Sequence, residues 1–221
     1  YNYRNLNDDI TGFDLKGKKH THSIYAGLVG SQQSGGLSLD YSTNVTLGTL
    51  SYDSFYSTVL GMVNNVDEGT YAKLEADLTA VQKIGHATDF LVKVSGQKAS
   101  RNLDSSEEFY LGGPNGVRAY AQGEGAGDEG LLSTAELRWH APVQGLTFST
   151  FYDVGTARLS RHSFTNDNRV TLRGWGLGAA YNKSGDWFAR LDYARRIGLD
   201  ASVSPRNSAR NRVWFMAGKI W

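Results

Sequence analysis

Apolar and polar positions alternate along most of this chain with a period of two, the spacing of a β-strand rather than a helix. Residues 72 to 80 show it most clearly. Ala72, Leu74, Ala76, Leu78 and Ala80 share one parity, and Lys73, Glu75, Asp77 and Thr79 share the other. Folded as a strand, this stretch puts every charge on one side. The same separation recurs at 134–140, where Ala135, Leu137 and Trp139 oppose Thr134, Glu136, Arg138 and His140. It recurs again at 187–196, where Trp187, Ala189, Leu191 and Tyr193 oppose Phe188, Arg190, Asp192 and Arg196. An apolar face with aromatics near its ends, backed by a face carrying both charge signs, suits a wall between lipid and water. A soluble sandwich also alternates, so the pattern by itself fits either architecture.

The turn signals between these runs predict about ten strands: 1–5, 20–33, 35–48, 69–83, 87–99, 130–140, 145–158, 169–182, 186–197 and 211–221. Turns of a few residues alternate with longer connections such as 49–68 and 198–210. Membrane barrels alternate short periplasmic turns with long surface loops, so the rhythm favours a barrel. The last run, RVWFMAGKIW, ends on the aromatic Trp221. Outer-membrane barrels commonly end this way, and that resemblance implies recognition by the barrel-assembly machinery. Lys219 shares a face with Trp221 and would have to snorkel.

Composition narrows this further. With 26 Gly, 12 Tyr and 5 Trp against 3 Pro, the chain is rich in strand and turn formers. The absence of cysteine removes disulfides, thiolate metal sites and thiol nucleophiles. A net charge of +1 gives no reason to expect nucleic acid as a partner. No Pro-rich, Ser-rich or charged linker divides the 221 residues, so one continuous architecture is expected. YNYRNLNDDI lacks the basic start and apolar run of a signal peptide, and the chain reads as beginning in mid-domain. The apolar run at Ile24–Gly30 is too short for a helical span, so any membrane crossing would be as a closed barrel.

Residues 100–130, SRNLDSSEEFYLGGPNGVRAYAQGEGAGDEG, are too long and Gly-rich for a plain connection. Gly112, Gly113 and Gly116 with Pro114 impose a tight path, and Phe109, Tyr110, Val117 and Tyr120 offer apolar anchors. Order is therefore expected there. On the strand 145–154, Phe151 and Asp153 share a face with Thr147 and Ser149, opposite Leu146, Phe148 and Tyr152. Parity points Asp153 into the lumen. On the next strand Gly174, Gly176 and Gly178 with Ala180 leave one face nearly bare, which leaves room for a loop to lie against the wall, or merely relieves crowding and permits curvature.

The run FYLGGPNGVRAY, followed by GEGAGDEG and LLSTAELRW, resembles the two-partner secretion transporters, the haemolysin secretion and activation (TpsB) family of the Omp85 superfamily. That resemblance implies an all-β antiparallel transmembrane barrel, these being about ten C-terminal strands of sixteen, so that 1–221 forms the C-terminal part of the barrel. It also implies that loop 100–130 folds back into the lumen. At its tip the family carries a Val-Arg-Gly-Tyr type motif, which stands here as Val117, Arg118, Ala119 and Tyr120, with Ala119 in place of the usual Gly. A Phe-x-Asp-x-Gly motif stands as Phe151, Asp153 and Gly155. The family pattern implies that Arg118 reaches the wall and pairs with Asp153. The family's plug helix, periplasmic POTRA domains and first strands have no counterpart in these residues.

The same resemblance implies export of a large secreted partner in extended form across the outer membrane, without ATP, cofactor or catalysis. Its surroundings would be outer-membrane lipids. Lys73, Glu75, Asp77, Lys93, Glu136, Arg138, Arg190, Asp192 and Arg196 would line the lumen with both signs, for passage of a polar chain or for salt bridging alone. A barrel-insertion factor of another Omp85 branch is the alternative, and a soluble β-sandwich binding module a further one. Other constellations read as structural. Gly125, Gly127 and Gly130 fit G-x-G-x-x-G without the helix a phosphate loop needs. His20 and His22 share a strand face without a third ligand, and no serine sits in a hydrolase setting. Asp8 with Asp9, Glu107 with Glu108, and Asp128 with Glu129 read as solvated loop carboxylates.

Overall fold

In the computed structural model, residues 1–10, 15–53, 58, 59, 61, 62, 66, 68–162, 168–183, 185–198 and 209–219 are described, without the side chains of 8–10, 15 and 16. Ile220 and Trp221, and with them the expected aromatic end, lie outside the described residues. The strands are β1 (Asn2–Ile10), β2 (Leu15–Ser34), β3 (Leu37–Tyr52), β4 (Gly69–Lys83) and β5 (Thr88–Ala99), then the two-residue β6 (Phe109–Tyr110) and β7 (Ala126–Gly127). After these come β8 (Glu129–His140), β9 (Leu146–Arg158), β10 (Arg169–Asn182), β11 (Trp187–Arg196) and β12 (Asn211–Lys219). All but β6 and β7 form one antiparallel sheet in chain order, with β1 and β12 at its edges. No described helix is long and apolar enough to cross a membrane.

The ten expected strands are present, but the first three are longer than the alternation predicts. β1 runs on to Ile10, β2 starts at Leu15 rather than residue 20, and β3 continues to Tyr52. Lys18, Lys19, Asp8 and Asp9 are polar on both parities. Polar side chains on both parities hide the alternation there, while the backbone ladder continues regardless, as the pairs Asp9↔Lys16 and Lys19↔Tyr52 show.

At one end of the sheet the connections are tight. Between β2 and β3, Gly35 and Gly36 both take positive φ, +56° and +82°, which a two-residue hairpin twisting with its strands requires. At the other end lie the long connections, among them the segment between β5 and β8.

Burial along the strands is inverted relative to a soluble sandwich. Leu74, Leu78, Leu137, Trp139, Leu191 and Phe215 are exposed on one face. Lys73, Asp89, Gln97, Asp153, Asp192 and Arg196 are buried on the other. An exposed apolar face running across the strands calls for apolar surroundings. Aromatics rim it: Trp139 stacks on Phe148 at 5.9 Å and Tyr181 meets Trp187 at 4.9 Å near the tight turns. Tyr152 pairs across with Trp175 toward the opposite end. The main hydrophobic core lies on the inner face, where Leu111, Val117, Ala119 and Tyr120 pack on Phe151, Ala157, Val170, Leu172 and Ala194.

Candidate functional site

The connection between β5 and β8 is folded into a compact body by its own backbone. β6 and β7 pair as Phe109↔Gly127 and Tyr110↔Ala126. Leu111 N then donates to Gly125 O at 2.9 Å and Gly112 N to Glu124 O at 2.9 Å, extending the ribbon toward the tip. Val117 N donates to Leu111 O at 2.7 Å and Tyr120 N to Val117 O at 3.0 Å, closing the tip on itself. Gly112 and Gly116 allow this closure, since a Cβ on either would stand 2.3 Å from Ala121 O or 2.1 Å from Leu111 O.

This closure aims Arg118 at the wall. Its Nε and Nη2 donate to Asp153 Oδ2 and Oδ1, both at 2.9 Å, and its own backbone N reaches Oδ2 at 3.1 Å. Thr134 Oγ1 gives Asp153 a fourth donor at 2.9 Å. Fully buried, Asp153 thus keeps its charge compensated by a fork of two parallel bonds and two further donors. Two more carboxylates surround the guanidinium. Glu136 Oε2 accepts from Nη1 at 3.0 Å, and Asp192 Oδ1 lies 3.7 Å from it. Arg190 Nε holds the other oxygen of Asp192 at 2.7 Å, lowering the excess of negative charge. The Arg118 guanidinium lies 3.2 Å from the centroid of the Phe151 ring, and Trp214 Nε1 on β12 donates to Arg118 O at 2.7 Å. One arginine is therefore gripped from β8, β9, β11 and β12.

The glycines divide by what they make room for. A Cβ on Gly174 would stand 2.6 Å from the Ala119 methyl, and one on Gly155 would stand 2.9 Å from Leu111 and 3.3 Å from Val117. These two face the loop. Gly176 instead makes room for the Phe151 ring, and Gly178 for Ser149 and Asp192, so the bare stripe meets the loop only at Gly174. Ala119 is wholly buried, and Gly174 makes the space for its methyl.

Behind the tip, a second cation clamps the loop. Arg196 on β11 donates from Nε to Ala119 O at 3.1 Å and from Nη2 to both Glu124 oxygens at 3.0 and 3.1 Å. Its guanidinium lies 4.2 Å from the Tyr120 ring centroid. Inward parity placed Arg196 in the lumen, but no sequence signal paired it with Glu124.

The loop's root corrects the reading of its carboxylates as solvated. Glu107 is 6% exposed and Asp128 is 1% exposed. Glu107 receives Lys73 Nζ at 2.9 Å and Arg4 Nη1 at 2.9 Å, and Lys19 Nζ binds Asp104 at 2.6 Å. Asp128 accepts from Leu103 N at 2.8 Å and Arg161 N at 2.6 Å, fastening the root's two strands and the next connection together. Burial nonetheless pushes its carboxyl up, and Glu129 adds to the push. Glu108 is half-buried and rises to about 7, through burial and then the charges of Asp128 and Asp104. Glu129 binds Arg161 at 2.8 Å. The cations that bury these acids come from β1, β2 and β4, far away in sequence.

The other constellations stay apart from this site. His20 pairs with Asp53 at 2.8 Å and His22 with the Tyr1 hydroxyl at 2.7 Å. No group of three possible metal ligands occurs among the described residues. Gly125 and Gly127 pack against Leu172 and the Arg158 carbonyl, and Gly130 lies under Phe109, leaving no phosphate cradle. Beyond the tip a polar cavity of about 350 Å³ opens between the loop and β4, β5 and β8, lined by Asp77, Lys93, Glu136, Arg138 and Arg190 among others.

Comparison with known proteins yields consistent matches. The family model described as haemolysin secretion/activation protein ShlB/FhaC/HecB matches residues 1–181. The heme/hemopexin transporter protein HuxB of Haemophilus influenzae is 28% identical over 225 residues, 97% of this chain and 39% of the relative. HuxB of strain 86-028NP is 26% identical over 226 residues, with the same shares. Among solved structures, CdiB from Escherichia coli superposes with a TM-score of 0.61 at 13% identity, over 98% of this chain and 49% of that one. CdiB from Acinetobacter baumannii gives 0.51 at 15% identity, over 91% and 42%. The chain spans about two fifths of the length of the curated relatives it matches.

Proposed function

This chain belongs to the haemolysin secretion/activation protein family ShlB/FhaC/HecB, and from that premise we propose that it serves two-partner secretion, as part of an outer-membrane barrel that exports a large partner protein in extended form. In this reading residues 1–221 supply one stretch of the wall of a larger barrel together with its in-folded loop. The exposed apolar face meets outer-membrane lipid, and the mixed charges of the inner face line the conduit.

One observation carries the reading: the loop is held inside by Arg118 in a cage of Asp153, Glu136 and Asp192. A wall with no moving part would have no use for a charge buried on a separate segment, since apolar packing of similar volume is as stable or more so. A caged cation on a segment separate from the wall defines one seated position, and export then requires the loop or its neighbours to leave it. Export would draw on the partner's folding outside the cell, with no ATP and no catalytic step.

Secretion by the full-length protein in cells tests this. Arg118→Ala and Asp153→Ala should each lower secretion of the cognate partner at normal barrel abundance, and the swap Arg118→Asp with Asp153→Arg should restore part of it. Normal secretion by both single variants would remove the pair from the mechanism.

A further inference from the structure

The outward face of β9–β11 carries a cluster of arginines beside the apolar band. Arg173 on β10 lies opposite Val154, and Arg195 on β11 lies opposite Trp175. Both are exposed and share the face of Leu177, Leu191 and Tyr193. Arg169, four residues before Arg173 on the same parity, is exposed above them and lies opposite Arg158. Among the described residues no side chain forms a hydrogen bond or ion pair with Arg169, Arg173 or Arg195, and the carboxylate on this stretch of outer face, Glu129, already holds Arg161 at 2.8 Å with Arg158 at 3.7 Å.

Position turns these charges into a site. Arg195 sits in the same cross-strand row as Tyr152 and Trp175, with Tyr193 two residues along its own strand. Arg173 is the diagonal neighbour of Arg195, about 7–8 Å away at the backbone. The cluster thus stands at the border where an aromatic belt gives way to headgroups, at the end bearing the long connections, which in outer-membrane barrels is the cell surface. Free guanidiniums in a partly dehydrated layer bind phosphate bidentately, and the aromatic rings beside them suit the apolar and sugar parts of the same molecule.

We propose that Arg173 and Arg195, with Arg169 above them, form a binding site on the outward face of β9–β11 for the phosphate groups of the glycolipid in the outer leaflet. The site rests on the outer-membrane reading, and fixes a boundary lipid against the strands whose inner face holds Arg118. Asp153, Gly174 and Asp192 lie on those same three strands, so the lipid bears on the wall that seats the loop.

The test uses the full-length protein in neutral bilayer discs doped with a diphosphorylated glycolipid, its dephosphorylated form, or phosphatidylglycerol, with retained lipid read by native mass spectrometry. The wild-type should retain the diphosphorylated glycolipid preferentially. Arg173→Gln with Arg195→Gln should bind it about thirtyfold more weakly, at about 1 kcal/mol for each interfacial arginine. Lys98→Gln, an outward cation on β5, should change nothing. Equal retention of the dephosphorylated form, of phosphatidylglycerol, or by the double variant would overturn the site, and the first two arms need no variant to fold. Displacement by millimolar inorganic phosphate would overturn it in favour of a free-anion site. Impermeant maleimide labelling in intact cells separates this from the reading beneath it: Ser105→Cys should label and Gly85→Cys should not. A reversed pattern sinks the orientation, whereas the expected pattern without lipid preference sinks the site alone.

Discussion

The loop's tip and its root are both held by buried ion pairs, but with opposite polarity and different geometry. At the tip one cation, Arg118, sits among Asp153, Glu136 and Asp192, with a ring beneath it and a backbone carbonyl tied to Trp214. At the root two carboxylates, Asp104 and Glu107, sit among Arg4, Lys19 and Lys73. A guanidinium in a two-bond fork over an aromatic face has one orientation, whereas lysine ammoniums on flexible stems act as point charges and follow their partner. The tip therefore specifies a position and the root supplies a tether. The two also divide the sheet, the tip gripping β8–β12 and the root gripping β1, β2 and β4.

The sharpest way to break that contrast is to keep charge and remove geometry. Arg118→Ala removes the guanidinium fork, leaving buried Asp153 with only Thr134 Oγ1 and the backbone N of residue 118 as donors, and should unseat the tip by about 3–5 kcal/mol, the usual cost of breaking a buried pair. Arg118→Lys retains the charge but cannot make the fork, and should recover less than half of that loss. Hydrogen exchange over 109–125 reads both. Full protection in the lysine variant would mean that the tip, like the root, is held by charge alone.

At the root the corresponding change should matter less. Glu107→Gln keeps an acceptor for Lys73 and Arg4, and Lys73 retains Glu75 at 3.2 Å, so about 1–3 kcal/mol is expected. The loss should appear as faster exchange at 103–110 with the tip still protected. Loosening of both ends together would show one cooperative latch instead of two.

How far each end was legible follows from the same contrast. Period-two alternation gave the strands and the inward parity of Asp153, and a Gly-rich loop with an Arg flanked by Val117 and Tyr120 marked the tip. Glu136 and Asp192 were assigned to the lumen, yet their convergence on Arg118 depends on register: Glu136 stands opposite Phe151, and Asp192 opposite Gly178. Pairing of that kind is not written in any local pattern. The root was misread because a carboxylate in a loop is solvated by default, and Arg4 reaches Glu107 across 103 residues. The glycine stripe was visible as a bare face, but which neighbour fills each gap required the packed side chains.

Gly174 offers a finer probe of the tip. Gly174→Ala drives a methyl to 2.6 Å from that of Ala119, an overpacking of about 1–3 kcal/mol. Ala119→Gly in the same molecule should relieve most of it. A double-mutant cycle by thermal unfolding in detergent measures the coupling. Additive losses would mean that the Gly174 gap serves the wall and not the loop.

The smallest expected effect separates the ends by pH. Glu108 is raised to about 7 by burial and by the charges of Asp128 and Asp104, so the seated root favours its protonated form. Its contribution is fully present below the ordinary carboxylate pKa of about 4.5 and is lost as pH rises through about 7. The cations Arg4, Lys19 and Lys73 are engaged with Asp104 and Glu107, so ionised Glu108 gains little from them. The root should therefore be better protected at pH 5 than at pH 8, while the tip, whose Arg118 stays charged across that range, should not change. In Glu108→Gln the root's pH dependence should flatten and its protection at pH 8 should rise toward the pH 5 value. A tip that loosens in step with the root would show that the tether, and not the cage, sets where the loop sits.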